Sequence, residues 1–438
     1  MMTDPLEQFY GPVPEPPRPR GPRRALTILA VAVVAAAAGA GAVAALPGNS
    51  GPRAAGPSSA TPSASTPASP GGTATQPGSP GQSVSPAAPS AGAIPVPPPS
   101  APAAVNGALN AQAVADKVQP GMVNISAPQA YGRSLSEGTG MILTTSGLVL
   151  TNNHVIEGAT APTATLVNSG KTYRATILGY DATHDVALLQ LVGASELTPV
   201  TVGNSASVKV GQHVLGLGNA RGQGGQPTVA PGQVTALNQT ISPSDSATGA
   251  TETLYGTIQT SAQIQEGDSG GPLVNAAGQV IGMDTAASQT QSFNASPAVA
   301  GYAIPLNTAL GIARQIAAGT QAATIQIGLP PFMGVEVVNA ASGCQQGGGL
   351  GGFGGLGGGS TSSGALICGV YSGTPAASAG LAQGDVITAA NGKTVSSAQS
   401  LITITSALRP GQSLPLSYVD NAGASRSATV TLIGGPAK

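Results

Sequence analysis

Short β-branched, apolar runs recur through the middle of the chain, at 121–126, 138–144, 147–152, 161–167, 173–178 and 186–192, with Gly, Asn and Pro between them. Such spacing predicts antiparallel strands that close into barrels, in place of alternating strands and helices. One clear helix is predicted at 306–318, opening after Pro305 and stopping at Gly319. Residues 25–46 differ: they carry no charge over 22 positions, about 33 Å as a helix, enough to cross a hydrocarbon core of about 30 Å. Arg18, Arg20, Arg23 and Arg24 come before it, which predicts a single membrane span with residues 1–24 as a short cytoplasmic tail. A cleaved signal peptide is the competing expectation, because Ala42-Val43-Ala44 supplies small residues for a cleavage site. The length of the apolar run favours an uncleaved anchor in the cell membrane, and on either expectation the rest of the chain is exported.

Residues 47–104 are nearly all Pro, Ser, Ala, Gly and Thr, with Arg53 the sole charge. That composition cannot bury enough apolar surface to fold, so a disordered linker is expected. As a coil it would span about 40 Å, and as an extended polyproline-like chain up to about 180 Å, which would hold the following domains clear of the membrane. Charged residues make up 8% of the 438 positions and the formal net charge is −1. Without a basic stripe, nucleic-acid binding has no electrostatic support. Two folded units remain, at 105–325 and 328–438.

Candidate chemistry concentrates in Glu266-Gly267-Asp268-Ser269-Gly270-Gly271-Pro272-Leu273, where a serine between glycines can expose its hydroxyl beside free backbone amides. The pentapeptide Gly267–Gly271 also fits the G-x-S-x-G elbow of α/β-hydrolases, but that fold places its base histidine after the serine. All three histidines, His154, His184 and His213, precede Ser269. The order is therefore His, Asp, Ser. A serine hydroxyl needs a base within reach and a third group to fix that base's tautomer. His154 follows the apolar run 148–151 at a strand end, and Asp185 opens the buried-looking run 186–191, so His154 is the expected base and Asp185 its orienting carboxylate. The Gly267 and Ser269 amides would form the oxyanion hole. Each segment alone has an ordinary explanation: a glycine-rich turn for Ser269, a loop residue for His154, a strand-start turn for Asp185. Their joint occurrence in this order favours the catalytic one. Asp181 is expected as a turn residue, His184 on the surface and His213 within a strand.

These segments resemble the HtrA/DegP proteases of the chymotrypsin fold, and more narrowly their membrane-tethered actinobacterial type. Thr151 to Val155 is similar to the family's T-N-x-H-V, and residues 181–191 to its D-x-x-x-D-[VL]-A-[LV]-L segment. Ile258-Gln259-Thr260 through Asn275, Val280-Ile281-Gly282-Met283 and Gly301-Tyr302-Ala303-Ile304-Pro305 follow further family motifs. The resemblance runs from about residue 105 to 438. It implies an all-β protease domain of two six-stranded antiparallel barrels with the triad between them, and a serine endopeptidase. Asp268 stands where the family has asparagine, as in trypsin-like zymogens, yet no isoleucine- or valine-led cleavage site follows a basic residue at the domain start. Gln263 lies six residues before Ser269, at the position of the pocket floor; with Gly301 and Tyr302 it is expected to line a neutral pocket that loosely prefers aliphatic residues.

Residues 328–438 resemble an α+β PDZ domain of HtrA type through Ser372-Gly373-Thr374-Pro375-Ala376-Ala377-Ser378-Ala379-Gly380-Leu381, Gly384-Asp385-Val386-Ile387 and Asn391-Gly392. By that resemblance Met333, Gly334 and Val335 supply amides to a peptide's C-terminal carboxylate; the alternative is a loop that only caps the domain. Cys344 and Cys368 are the only cysteines and flank a Gly-rich insert at 345–365. In an exported protein a disulfide between them is expected, with two buried thiols as the alternative. The resemblance further implies unfolded exported polypeptides as substrates in envelope quality control and stress response, a possible homotrimer, and no cofactor or metal. A latent protease acting mainly as a chaperone or peptide-binding scaffold is the competing function; an esterase would need a lipid-accepting pocket for which no segment is evident.

Overall fold

A computed structural model describes residues 93–96, 110–131, 134–242, 253–285, 300–344 and 363–438. All of them fall in one compact unit, Ser85–Lys438. The expected tail at 1–24, the apolar stretch 25–46, most of the linker and most of the Gly-rich insert lie outside the described residues. Among the described residues no helix is long and apolar enough to cross a membrane.

Helix α1 (Ala111–Val118) is opened by the Asn110 side chain, which accepts the Ala113 amide, and it buries Val114, Ala115 and Val118. Six strands follow: β1 (Met122–Pro128), β2 (Leu135–Ile142), β3 (Leu148–Thr151), β4 (Thr163–Leu166), β5 (Thr172–Asp181) and β6 (Val186–Leu191), with a one-turn helix α2 (Asn153–Ile156) between β3 and β4. They pair in the order β5-β4-β1-β2-β3-β6, and β5 also pairs with β6, which closes a barrel. Successive side chains on a strand point to opposite faces. Thus Leu148 and Leu150 join one core while Val149 joins another, and on β6 Leu188 parts from Leu189 in the same way. Both faces are buried, which is why these strands are continuous apolar runs in the sequence.

The second barrel is closed by β7 (His213–Gly218), β8 (Thr228–Ile241), β9 (Leu254–Thr260), β10 (Pro272–Asn275), β11 (Val280–Thr285) and β12 (Gly301–Pro305), in the order β10-β11-β12-β9-β8-β7. Helix α3 (Leu306–Ala317) ends one residue before the predicted limit and buries Leu306, Ala309, Leu310, Ala313 and Ile316 in the core shared with both barrels. Strand β13 (Ile325–Ile327) then returns to the first barrel and pairs with β5, a seventh strand beyond the six expected. Ile94, within the stretch expected to be linker, is buried in that shared core, and the Arg314 guanidinium on α3 donates to the Pro95 carbonyl.

Beyond β13 come β14 (Pro331–Phe332), β15 (Val335–Asn339), β16 (Ala365–Val370), α4 (Pro375–Ser378), β17 (Val386–Ala390), β18 (Lys393–Thr394), α5 (Ala398–Ser406), β19 (Ser413–Val419), β20 (Ser425–Thr431) and β21 (Ile433–Gly434). The sheet runs β15-β16-β17-β19-β20, with β18 on β17, and β14 pairs separately with β21. Its core contains Met333, Ile367, Ile387, Leu401, Leu414, Leu416 and Val430. Helix α5 begins in a capping box in which Ser397 and Ser400 satisfy each other's backbone amides. Cys344 and Cys368 are joined by a disulfide that closes the ends of the insert; on the chain-entropy account a loop of this length is worth about 3 kcal/mol.

Candidate active site

His154 is carried by α2, directly after β3. Its Nδ1 lies 3.0 and 2.9 Å from the two carboxylate oxygens of Asp185, and its backbone amide donates to Asp185 Oδ1 at 3.0 Å. The carboxylate accepts, so Nδ1 is the donor, and in the neutral imidazole Nε2 is then the acceptor. Asp185 is 1% exposed, whereas the His154 side chain is 36% exposed. Asp185 sits at φ 53°, in the left-handed region that aspartate tolerates better than most residues. Asn152 Nδ2 donates to its carbonyl at 2.9 Å, and Thr285 Oγ1 on β11 approaches Oδ2 at 3.4 Å. The turn that presents Asp185 is itself tied down: the buried Asp181 accepts the His184 amide at 3.1 Å, the His184 ring at 2.9 Å and Thr324 Oγ1 at 2.8 Å. His184 is half exposed, as expected, but Asp181 is more than a turn residue because it fastens β13 to the Asp185 turn.

Ser269 comes from the second barrel, and the first barrel holds it. The Thr139 amide on β2 donates to the Ser269 carbonyl at 2.8 Å; Thr139 Oγ1 donates to the Gly267 carbonyl at 2.8 Å and accepts the Asn219 amide at 2.8 Å. Thr151, three residues before His154, donates its hydroxyl to the Thr139 carbonyl at 2.7 Å. Contact is so close that a Cβ on Gly270 would stand 2.1 Å from Thr139 O and 2.3 Å from Thr151 Oγ1. A Cβ on Gly138 would meet Val155 at 2.7 Å and the Ser269 carbonyl at 3.2 Å. Val155, next to His154, and the Ser269 carbonyl therefore both approach one glycine of β2.

Around Ser269 the loop is fixed amide by amide. Arg221 N–H holds the Glu266 carbonyl at 2.7 Å, and the amides of Asp268, Gly270 and Gly271 are bonded to Gln265, Asp284 and Asp268 carbonyls. Gly267 is at φ 92°, and a Cβ there would lie 2.2 Å from the Asn219 carbonyl, so no other residue fits without moving the loop. Asp268 needs no newly cut amine: its carboxylate accepts Gln265 N–H at 2.9 Å and Thr228 Oγ1 at 2.8 Å. Burial raises the Asp268 carboxyl above the usual range, and those donors oppose the shift.

Asp284 is a residue that sequence reasoning missed. It is fully buried on β11, and neither carboxylate oxygen makes a hydrogen bond of good geometry, the Leu217 backbone offering at most a weak one. Burial pushes its carboxyl well above the usual range, the neighbouring Asp268 adds to this, and the Leu217 backbone counteracts it. A carboxyl whose folded pKa is raised stabilises fully below its unfolded pKa, and that contribution is lost as pH rises through the folded pKa. Asp284→Asn is therefore expected to stabilise the fold at pH 7 by about 1–3 kcal/mol, from relief of a poorly solvated charge, with the gain absent at pH 3. Urea unfolding at the two pH values checks this.

Of the expected pocket residues, Gln263 is exposed on the loop between β9 and β10, and Gly301 lies so near Ala262 and Ile264 that a Cβ would stand 2.4 Å from the Ala262 carbonyl. Tyr302 is buried in a small cluster with Ile241 and Leu254. The loop Met333-Gly334-Val335 is held from one side: Ala376 N–H takes the Met333 carbonyl at 2.9 Å and Tyr371 N–H the Gly334 carbonyl at 3.0 Å. Gly334 is at φ 93° with Thr374 against it. The Tyr371 hydroxyl donates to Glu336 at 2.8 Å; desolvation first, then that carboxylate, pushes it up to about 12. Among the described residues no cluster of His, Cys, Asp or Glu is arranged to hold a metal ion.

Two family models match the chain: a trypsin-like peptidase domain over residues 138–283 and a PDZ domain over 331–432. Serine protease PepD of Mycobacterium tuberculosis is 33% identical over 361 residues, covering 80% of this chain and 71% of that protein. Serine protease Do-like HtrB of Bacillus subtilis is 35% identical over 251 residues, 57% of this chain and 51% of that protein, so the chain spans about half of this second relative. A solved structure described as HtrA-type protease AlgW with tripeptide is 29% identical and covers 73% of this chain and 96% of its own, at a TM-score of 0.40. With a trypsin-like peptidase domain followed by a PDZ domain, and this extent of identity to PepD, the chain belongs to the HtrA/DegP-type serine proteases and is a serine endopeptidase.

Proposed function

We propose that Ser269, His154 and Asp185 are the catalytic triad of an endopeptidase that degrades unfolded or damaged exported proteins from a position tethered to the cell membrane by residues 25–46. The observation that carries the triad is the buried Asp185 carboxylate on His154 Nδ1, which leaves Nε2 as the base. In the reaction Ser269 Oγ attacks the peptide carbonyl while Nε2 takes its proton; the amides of Gly267 and Ser269 receive the oxyanion. His154 returns the proton to the leaving amine, and water then hydrolyses the acyl-enzyme by the same route. Asp185 holds the ring and stabilises the imidazolium throughout. Gln263, Gly301 and Tyr302 border a neutral substrate pocket.

The PDZ domain would recruit substrate through Met333, Gly334 and Val335. Because the Met333 and Gly334 carbonyls are committed to Ala376 and Tyr371, the same peptide planes turn the Gly334 and Val335 amides the other way, the arrangement a carboxylate requires. The full chain is expected to cleave reduced casein into fragments and to spare a stably folded protein under the same conditions. Fluorescence anisotropy with a peptide ending in a hydrophobic residue is expected to show binding that Gly334→Val abolishes. If no cleavage occurs even when that peptide saturates the PDZ domain, the chain acts as a peptide-binding scaffold.

A further inference from the structure

We propose that residues 433–438 form a strap that positions the histidine-bearing turn α2, making part of the PDZ side of the molecule a component of the active-site framework. The inference rests on the reading of His154 as the base. Helix α2 has four residues, too short to be held by its own hydrogen bonds, so its placement must come from what is fastened to it. Much of that fastening is the strap. Gly158 N–H donates to the Ala437 carbonyl at 2.9 Å and Ala437 N–H to the Ala159 carbonyl at 3.0 Å. Ala437 is 3% exposed and belongs to the core of the first barrel, together with Val155, Ile156 and Ala159. Asn153 Nδ2, one residue from His154, donates to the Lys438 carbonyl at 3.1 Å, and Lys438 N–H donates to the buried Tyr180 hydroxyl at 3.1 Å.

The other end of the strap is anchored beside the peptide-binding loop. Strand β21 pairs with β14, Ile433 opposite Phe332, and Gly435 N–H donates to the Pro330 carbonyl at 2.8 Å. Gly435 has to be glycine, because a Cβ there would lie 2.5 Å from Phe332 Cβ. A second contact runs alongside: the Tyr131 ring lies 5.2 Å from Phe332 and 4.4 Å from Tyr371, and Ala130 N–H takes the Gly158 carbonyl at 2.9 Å. Met333 follows Phe332 directly, so the chain that forms the peptide loop is also the chain on which the strap is hung. Displacement of β14 would be passed through residues 435–438 to Asn153, and so to the His154 ring.

Two variants test this in the full chain. Ala437→Arg cannot keep its side chain in the barrel core and detaches the strap; Tyr180→Phe keeps the ring's packing and removes only the acceptor of Lys438 N–H. With a fluorogenic peptide too short to reach the PDZ domain, kcat is expected to fall about 10- to 100-fold in Ala437→Arg, the scale of a catalytic group displaced by about an ångström. A severalfold fall is expected in Tyr180→Phe. KM and the affinity for a PDZ-binding peptide should change less than twofold, and the low-field proton resonance of His154 Nδ1–H should broaden or move. Unchanged kcat and an unchanged resonance in both variants would overturn the strap. So would a loss in Ala437→Arg accompanied by lost PDZ affinity while Tyr180→Phe behaves as wild type, since that is general unfolding. Should the wild type itself fail to cleave, the catalytic reading fails, and the resonance still decides whether residues 433–438 hold α2.

Discussion

Ser269→Ala is expected to lower kcat by about 10⁶-fold, with residual turnover only from the oxyanion donors and substrate binding. The effect should be confined to chemistry. The backbone contacts of this loop do not depend on the side chain: the Ser269 carbonyl accepts Thr139 N–H, and the nearby Gly267 carbonyl accepts the Thr139 hydroxyl. Alanine preserves all of them, so the melting temperature and PDZ affinity should match the wild type. Steady-state kinetics on a fluorogenic peptide, paired with thermal unfolding of the same sample, checks both halves of this expectation.

Asp185→Asn should cost about 10⁴-fold in kcat with little change in KM. Asparagine tolerates the left-handed backbone at φ 53°, and its carbonyl oxygen can still accept the His154 backbone amide that Oδ1 accepts now. Its NH₂ group then faces the His154 ring and donates where a carboxylate accepted. The ring must answer with the other tautomer, Nδ1 unprotonated and Nε2 carrying the hydrogen, so the nitrogen needed to accept the serine proton is already occupied. Asp185→Ala would confuse this electronic effect with a cavity at a site that is 1% exposed. The asparagine variant should keep its fold and lose its rate.

The pairing of His154 with Asp185 was legible in sequence because each lies at the end of an apolar strand, β3 before His154 and β6 after Asp185, while Ser269 is marked by its glycine-rich motif alone. The runs at 147–152 and 186–192 correspond to β3 (Leu148–Thr151) and β6 (Val186–Leu191) within a residue at each end, since the same buried side chains define both. What stayed hidden depends on partners far along the chain. Nothing around Thr139 marks it as the clasp of a loop 128 residues away, and Thr285 approaches Asp185 across 100 residues. Asp181 has the local look of a turn residue, and only its bond to Thr324, 143 residues on, shows that it fastens a seventh strand to the barrel. Asp284 sits in an apolar strand where charge has no local reason to be. Helix α2 is too short to leave a periodic pattern, and residues 433–438 carry no motif at all. The expected disulfide was legible because two cysteines allow a single pairing, and Cys344 and Cys368 make it. The apolar run at 25–46 is outside the described residues and rests on its sequence alone.

Hydrolysis is proposed to be performed by one serine, activated by His154 and Asp185. Treating the full chain with a fluorophosphonate probe and locating the adduct by peptide mass mapping tests it most directly. A single phosphonylated residue is expected, Ser269, with labelling abolished in His154→Ala and strongly slowed in Asp185→Asn. An adduct on a different serine, or full peptidase activity with no adduct at Ser269, would contradict it.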